Sequence, residues 1–371
     1  MKLNEKDLAD LCRGAAFLGT GGGGDPYVGR LMAQAAMRAG NGVEIIPLDQ
    51  LADDALVIPT AMMGAPTVLV EKLPSGDEAF QSLRRIEQRL GRRATATMPI
   101  EVGGINSTIP LIVGARLGLP VVDADGMGRA FPELQMETFS VYGISGTPMA
   151  VSNEHGDMAL IDTRDNASME WISRGVAIAM GGCAYIAEYA MSGAEARRTA
   201  IPGTLTLALR IGRTIREARE QHRDPFRALI ELLPSTPYSF GCILFDGKIV
   251  DVRRETRNGF ALGRTTIRSL NGSSTMELEF QNENLIARDG NEVRAIVPDL
   301  ICVLDSATAE PITTETLRYG QRVKVMAVAV PPIMRTPEAL AVFGPAGFGM
   351  SEPFRPIEQL AAGRRGDSAC G

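Results

Sequence analysis

Apolar residues recur at helical spacing from an Asn cap through Asn4-Glu5-Lys6-Asp7-Leu8-Ala9-Asp10-Leu11-Cys12-Arg13-Gly14-Ala15-Ala16-Phe17-Leu18, which predicts an opening helix. A second helix is predicted through Gly29–Arg38, with Asp25 as its cap and Pro26 at the first position, where no donor is required. Short β-rich apolar runs then alternate with helical patterns. The runs are Val43–Leu48, Ala55–Thr60, Ala94–Met98, Pro120–Asp123 and Met149–Ser152, and this alternation argues for a sheet layered with helices. Helices are predicted near Asp77–Leu90, whose stripe carries Phe80, Leu83, Ile86 and Leu90, and near Ser107–Leu117. A helical block follows from Ser168 to about Leu233, broken at Gly181-Gly182, Gly193 and Pro202-Gly203.

The pattern changes after Pro234-Ser235-Thr236-Pro237. Cys242–Val252 reads as a hairpin turning at Asp246-Gly247, and strand-like runs continue through Met276–Phe280, Leu300–Leu304 and Arg322–Val330. The expected fold class is therefore α/β. A layered N-terminal α/β domain over 1–236 is followed by a mostly β, barrel- or sandwich-like domain over 237–355 and a disordered tail over 356–371.

Composition narrows the partners. A 371-residue chain with 45% hydrophobic content can bury two cores. A net charge of −6 and a pI near 5.3 leave no basic footprint, so neither nucleic acid nor a membrane surface is expected as partner. No apolar run reaches spanning length and the acidic start does not resemble a signal peptide, so a cytoplasmic protein is expected. A homo-oligomer is the expected assembly. The five cysteines are widely spaced without a C-x-x-C pair, and two histidines cannot build a His-rich zinc site. No organic cofactor is expected, and a metal requirement stays open.

Candidate chemistry gathers where glycines and carboxylates meet. Gly21, Gly22, Gly23 and Gly24 precede the capped helix, so converging N–H groups and the positive helix end suit a carboxylate, phosphate or polarised carbonyl, with Asp25 beside it. Gly19, Gly21 and Gly24 also satisfy G-x-G-x-x-G, but the strand that a dinucleotide site needs is replaced by a helix. A tight helix-loop-helix turn is the structural alternative. Asp123 and Asp125 end a buried apolar strand, close enough for one to stay protonated while the other ionises. They could instead cap a turn or the next helix.

Glu101, between apolar residues and Gly103-Gly104, is either a buried partner for Arg or a ligand contact. Asn106 or Ser107 could cap the next helix and point N–H groups at a ligand. His155, within Asn153-Glu154-His155-Gly156-Asp157, sits at a hairpin tip, where it could move a proton or be a solvated turn residue. Cys183 follows two glycines; it is either a nucleophile or ligand contact, or a small buried hydrophobe.

Together Gly19–Tyr27, Ala61–Val68, Pro99–Ser107 and Asp123–Glu133, continued by Asp299–Ser306 and Tyr319–Val323, resemble the bacterial S-methyl-thiohydantoin desulfurase family over nearly the whole chain. The resemblance implies an N-terminal α/β domain, a C-terminal β-rich domain and a small heterocyclic substrate related to hydantoin or thiohydantoin. The expected function is hydrolytic removal of sulfur, as a thiol, from such a ring. Asp123 and Asp125 are the expected acid and base, with Glu101 and then His155 as further candidates, and Gly21 to Gly24, Asn106 and Ser107 hold the ring. Ring-opening hydrolysis of a hydantoin or lactam, and a non-catalytic binding protein or hydrolase partner, are the alternatives.

Overall fold

The computed structural model describes residues 1–40, 42–64, 68, 76–257 and 259–363. Helix α1 (Glu5–Leu18) starts at Asn4, whose side chain accepts from the Asp7 N–H while the Asp7 carboxylate accepts from the Asn4 N–H. Helix α2 (Pro26–Ala39) starts as its sequence predicts, with the Asp25 carboxylate accepting from Tyr27 N at 2.8 Å.

Four strands, β1 (Ile45–Pro47), β2 (Leu56–Gly64), β3 (Ala96–Pro99) and β4 (Val121–Asp125), run parallel in the order β1-β4-β3-β2. Helices α3 (Glu78–Leu90) and α4 (Ile109–Leu117) carry the crossovers from β2 to β3 and from β3 to β4. Beyond β2 the sheet continues antiparallel as β7 (Cys183–Ala187), β5 (Met149–Ser152) and β6 (Met158–Ile161). Two-residue strands β8 (Met191–Ser192) and β9 (Ile201–Pro202) pair with β2 and β4.

Both faces of this sheet are covered, which explains why β2 reads as a continuous apolar run. Ile58 and Met62 point into a core shared with α1, α2 and α4, whereas Val57, Ala61 and Met63 face α5 (Thr138–Val141), α6 (Asn166–Ala179) and α7 (Gly193–Thr199). Helix α1 lies against α8 (Thr204–Glu220) at close range. A Cβ on Gly14 or Gly212 would overlap the carbonyl of Ala208 or Asp10, respectively.

The helical block expected from Ser168 is interrupted by β7. Its five residues are all buried and β7 lies beside β2 at the sheet's centre; a short apolar run does not distinguish a buried strand from a helix segment, and here tertiary pairing decides. After α9 (Pro225–Leu232), the second sheet begins at Gly241. The hairpin expected at Asp246-Gly247 is not formed, because both residues lie inside one long strand, β10 (Gly241–Arg257). Gly247 serves close packing there, since a Cβ would overlap the Arg268 carbonyl of β11 (Phe260–Ser269).

With β12 (Thr275–Gln281), β13 (Glu283–Asp289), β14 (Glu292–Ile296), β15 (Leu300–Asp305) and β16 (Arg322–Val328), these strands form an antiparallel sheet ordered β14-β13-β12-β11-β10-β16-β15. It curls into a half-barrel around Ile249, Ile267, Leu278 and Val325. The tail expected from 356 is ordered at its start. After α10 (Pro337–Phe343), helix α11 (Ile357–Ala362) docks through the fully buried Ile357, and the remainder, 364–371 with Cys370, lies outside the described residues. No helix among the described residues is long and apolar enough to cross a membrane.

Candidate functional site

Strands β2, β3 and β4 end side by side, and in parallel sheets this carboxyl edge is where ligands collect. The chain places Met62, Met63 and Gly64 at the end of β2, Ile100 and Glu101 just after β3, and Asp125 as the last residue of β4. A cleft of about 50 Å³ opens there. Its walls include Met62, Met63, Glu101, Asn106 and Met127, Arg174 from further along the chain, and Asn282 and Glu283 from the second sheet, with Gly23 from the glycine run. That volume holds only one or two waters, so a ring can enter only by displacing the walls. Three of them are unbranched methionines, the side chains best able to repack.

Glu101 is one of two carboxyl groups that line this cleft. Asn106 Nδ2 donates to its Oε1 at 2.6 Å, and Phe131 N donates to its Oε2 at 3.3 Å. Asn106 is itself fixed, accepting from Met62 N at 2.8 Å and donating to Met62 O at 3.0 Å. Burial dominates these favourable contacts and pushes Glu101 up to about 8, with the neighbouring Asp125 raising it further and Arg129 opposing.

Asp125 is completely buried behind Glu101. Its Oδ2 accepts from Val102 N, Met127 N and Gly128 N at 2.8, 3.2 and 2.8 Å, while Oδ1 has no hydrogen-bond partner. Burial nevertheless raises it to about 7.

A third carboxyl group comes from the other sheet. Asn282, in the left-handed region at φ +57°, turns β12 into β13 and sets Glu283 into the cleft wall. Burial first, and the charge of Glu101 second, hold Glu283 well above the carboxylate range, and its Oε2 has no partner. Arg129 supplies the opposing charge. Fully buried, it donates to the carbonyls of Ala130, Pro298, Asp299 and Asn284, and burial lowers it to about 10 against the pull of Glu283. Deeper still, Glu137 and Glu188 have neither oxygen hydrogen-bonded; burial and, for Glu137, the neighbouring Glu188 keep them protonated far above the usual range.

The structure thus brings Glu101, Asp125, Asn106 and Gly23 together and takes other candidates elsewhere. Asp123 is a helix-terminus ligand: its carboxylate accepts from Thr206 N at 3.0 Å and from the Thr206 hydroxyl at the start of α8. His155 does sit at the β5–β6 hairpin tip, 74% exposed beside Glu154 at 3.6 Å and outside the cleft. Cys183 is buried at the start of β7 opposite Gly64, and it is not among the cleft walls. Neither Asn106 nor Ser107 caps α4. Both lie in a preceding 3₁₀ turn, Ser107 donating to Gly104 O, and Thr108 occupies the cap.

The glycine run is a packed seam. Gly21, Gly23 and Gly24 have φ of 98°, 75° and 77°, and Gly23 O accepts from Ile105 N at 2.8 Å. A Cβ on Gly22 would overlap the Glu283 carboxylate, and one on Gly23 would stand 2.6 Å from the Gly103 carbonyl carbon. Among the described residues the Gly23 N–H has no acceptor. Asp25 faces a different cavity, beside Arg30.

Sequence reasoning missed Glu283, Arg129, Glu137 and Glu188. Only Arg129 carried a signal, following the Asp125-Gly126-Met127-Gly128 turn; Glu188 lies inside the stretch that reads as a helical block, and Glu137 and Glu283 lie outside every predicted element. Among the described residues no group of three or more His, Cys, Asp or Glu is arranged to hold a metal ion.

Family models match nearly the whole chain: the S-Me-THD-like N-terminal domain over residues 6–163 and the S-Me-THD-like C-terminal domain over 164–357. The boundary at 163/164 precedes β7, which hydrogen-bonds into the first sheet, so the C-terminal family domain supplies the centre of that sheet as well as the half-barrel. The cleft lies at the junction, with Glu101 and Asn106 from one family domain and Arg174, Asn282 and Glu283 from the other. No curated protein matches the chain. A crystal structure of a protein from Chromobacterium violaceum is similar over 96% of this chain and 100% of its own, with a TM-score of 0.83 and 24% identity. That likeness bears on the fold alone.

Proposed function

Because the chain belongs to the S-Me-THD-like family, that of S-methyl-thiohydantoin desulfurase, we propose that its cleft hydrolyses an S-substituted thiohydantoin, releasing the sulfur as a thiol and leaving a hydantoin. The observation that carries this reading is the convergence of two carboxyl groups, Glu101 and Glu283, on one cleft, with Asp125 behind them and the proton affinity of all three raised by burial. Two acids held at different affinities can divide the roles of base and acid.

The ring carbon between the two nitrogens is amidine-like and becomes electrophilic when a ring nitrogen is protonated. Glu283, which burial favours in its protonated form, donates that proton. Glu101 in its ionised form takes a proton from water as the C–O bond forms; it then returns that proton to the departing sulfur, which leaves as the thiol when the C–S bond breaks, while the remaining O–H proton passes to Glu283 as the carbonyl forms, so both groups regain their starting states. One water is consumed, one C–S bond breaks and one carbonyl is made. Asn106 is a positioning residue that aims Glu101, and in this scheme the Gly23 N–H, which has no acceptor among the described residues, donates to a ring carbonyl. Asp123 has no part in this scheme.

The test is incubation of the purified protein with S-methyl-thiohydantoins, with products followed by mass spectrometry. Methanethiol with an intact hydantoin ring is expected. A new carboxylate without thiol would assign ring opening instead, and saturable binding without turnover would make the protein a binder.

A further inference from the structure

A larger cavity, about 230 Å³, lies on the other side of the glycine run, between α1, the start of α2 and the loop joining β15 to β16. Its charged and polar walls include Arg13, Asp25, Tyr27, Arg30, Glu310 and Thr313. Arg13 is already satisfied: its Nε donates to both Glu310 oxygens at 2.9 and 3.0 Å and its Nη1 to Asp10 at 2.9 Å. Glu310 also accepts from Arg219 at 2.6 Å.

Arg30 is different. Its guanidinium lies 5.2 Å above the Tyr27 ring, its Nε is buried without a hydrogen-bond partner, and among the described residues it has no ion pair. A cation stacked on an aromatic face, left with an unpaired buried donor in an open cavity, is arranged for a planar anion.

We propose that this cavity is a second binding site, for a small monocarboxylate that also carries an N–H donor. Arg30 takes the carboxylate and Tyr27 gives the site a flat wall. Asp25, which spends one oxygen on the Tyr27 N–H, offers the other to the ligand's N–H. Asp25 and Glu310 make the site unfavourable for a dianion. At about 30 Å³ per small group, the cavity has room for about eight non-hydrogen atoms. The site is separate from the cleft, with Gly23 lining one and Asp25, two residues on, lining the other.

Isothermal titration with N-acetylglycine and with succinate, matched in size but differing in charge and N–H content, tests the proposal. N-acetylglycine is expected to bind the wild-type protein at one site and succinate at least tenfold more weakly. Arg30→Gln should weaken N-acetylglycine tenfold or more, and Tyr27→Ala, at a residue 55% exposed and so replaceable without loss of fold, several-fold. Glu101→Gln should leave this binding unchanged. Absence of binding at millimolar N-acetylglycine, equal or tighter binding of succinate, or loss of binding in Glu101→Gln with none in Arg30→Gln would each overturn it.

Discussion

Asn106 donates to Glu101 across 2.6 Å while both polar ends of its amide are tied to the backbone of Met62. One side chain thereby fixes the end of β2 to the carboxylate that follows β3. Asn106→Ala leaves the Met62 N–H and carbonyl unpaired in a buried setting, a cost of about 1–3 kcal/mol. It also removes the donor that favours ionised Glu101, so the rising limb of the pH–rate profile should move to higher pH. A chemical melt and a pH profile of thiol release check both effects, and an unmoved profile would confine Asn106 to structure.

Glu101→Gln should fold normally and lower turnover by about 10²-fold or more, the usual contribution of a positioned base. Asp125→Asn should lower the proton affinity of Glu101, which the neighbouring carboxylate raises, and so move the rising limb of the pH–rate profile to lower pH. Rates of thiol release by the purified variants give the answer; wild-type rates in Glu101→Gln would remove it from the reaction.

Asp123→Ala should separate stability from chemistry. It deletes the acceptor at the start of α8, which costs about 0.5–2 kcal/mol in comparable caps. Turnover of the folded fraction should stay within about threefold of wild type, since a group outside the reacting atoms gives up none of the 10²-fold a positioned acid or base supplies. A large loss of kcat at full folding would return Asp123 to the site.

Stability should fall as pH rises from about 4.5 to 8. Buried Glu101 and Asp125 hold their protons to about 8 and 7, whereas in the unfolded chain they release them near 4.5 and 3.8. Across that interval the native state binds more protons than the unfolded state, so the slope of unfolding free energy with pH is negative. Depressed groups such as Glu87 and Glu358 act in the opposite sense and only below their ordinary range. Thermal melts across this window should flatten in Glu101→Gln; a slope unchanged from wild type would refute the assignment.

Replacing Gly22 or Gly23 by Ala should reduce stability along with any binding. At Gly23 a methyl group meets backbone at φ +75°, where no flexible side chain can move aside, and overpacking of this kind costs about 1–3 kcal/mol. At Gly22 the obstacle is the Glu283 carboxylate, so that substitution should also displace a cleft residue. Denaturant midpoints of the two variants, with a crystal structure of Gly22→Ala, check this. Wild-type midpoints would mean that the seam relaxes freely.

The local grammar of the chain determined its helix starts, most of its parallel strands and the change to a β-rich second sheet. Asn4 and Asp25 cap as written because a cap is settled within three residues, and β2, β3 and β4 read correctly because covering both faces leaves a continuous apolar run. The same grammar misread β7 and the Asp246-Gly247 segment, where pairing with strands far away in sequence overrode local preference. It marked Glu101 and Asp125 as chemistry-bearing, since carboxylates ending apolar strands stand out. It could not separate Asp125 from Asp123, two positions apart on one strand. Only the folded chain places Thr206 beside one and buries the other next to Glu101. Glu283 and Arg129 lay beyond any local reading, because their roles arise where two sheets meet, and burial acts on a carboxyl group through every neighbour that excludes water from it.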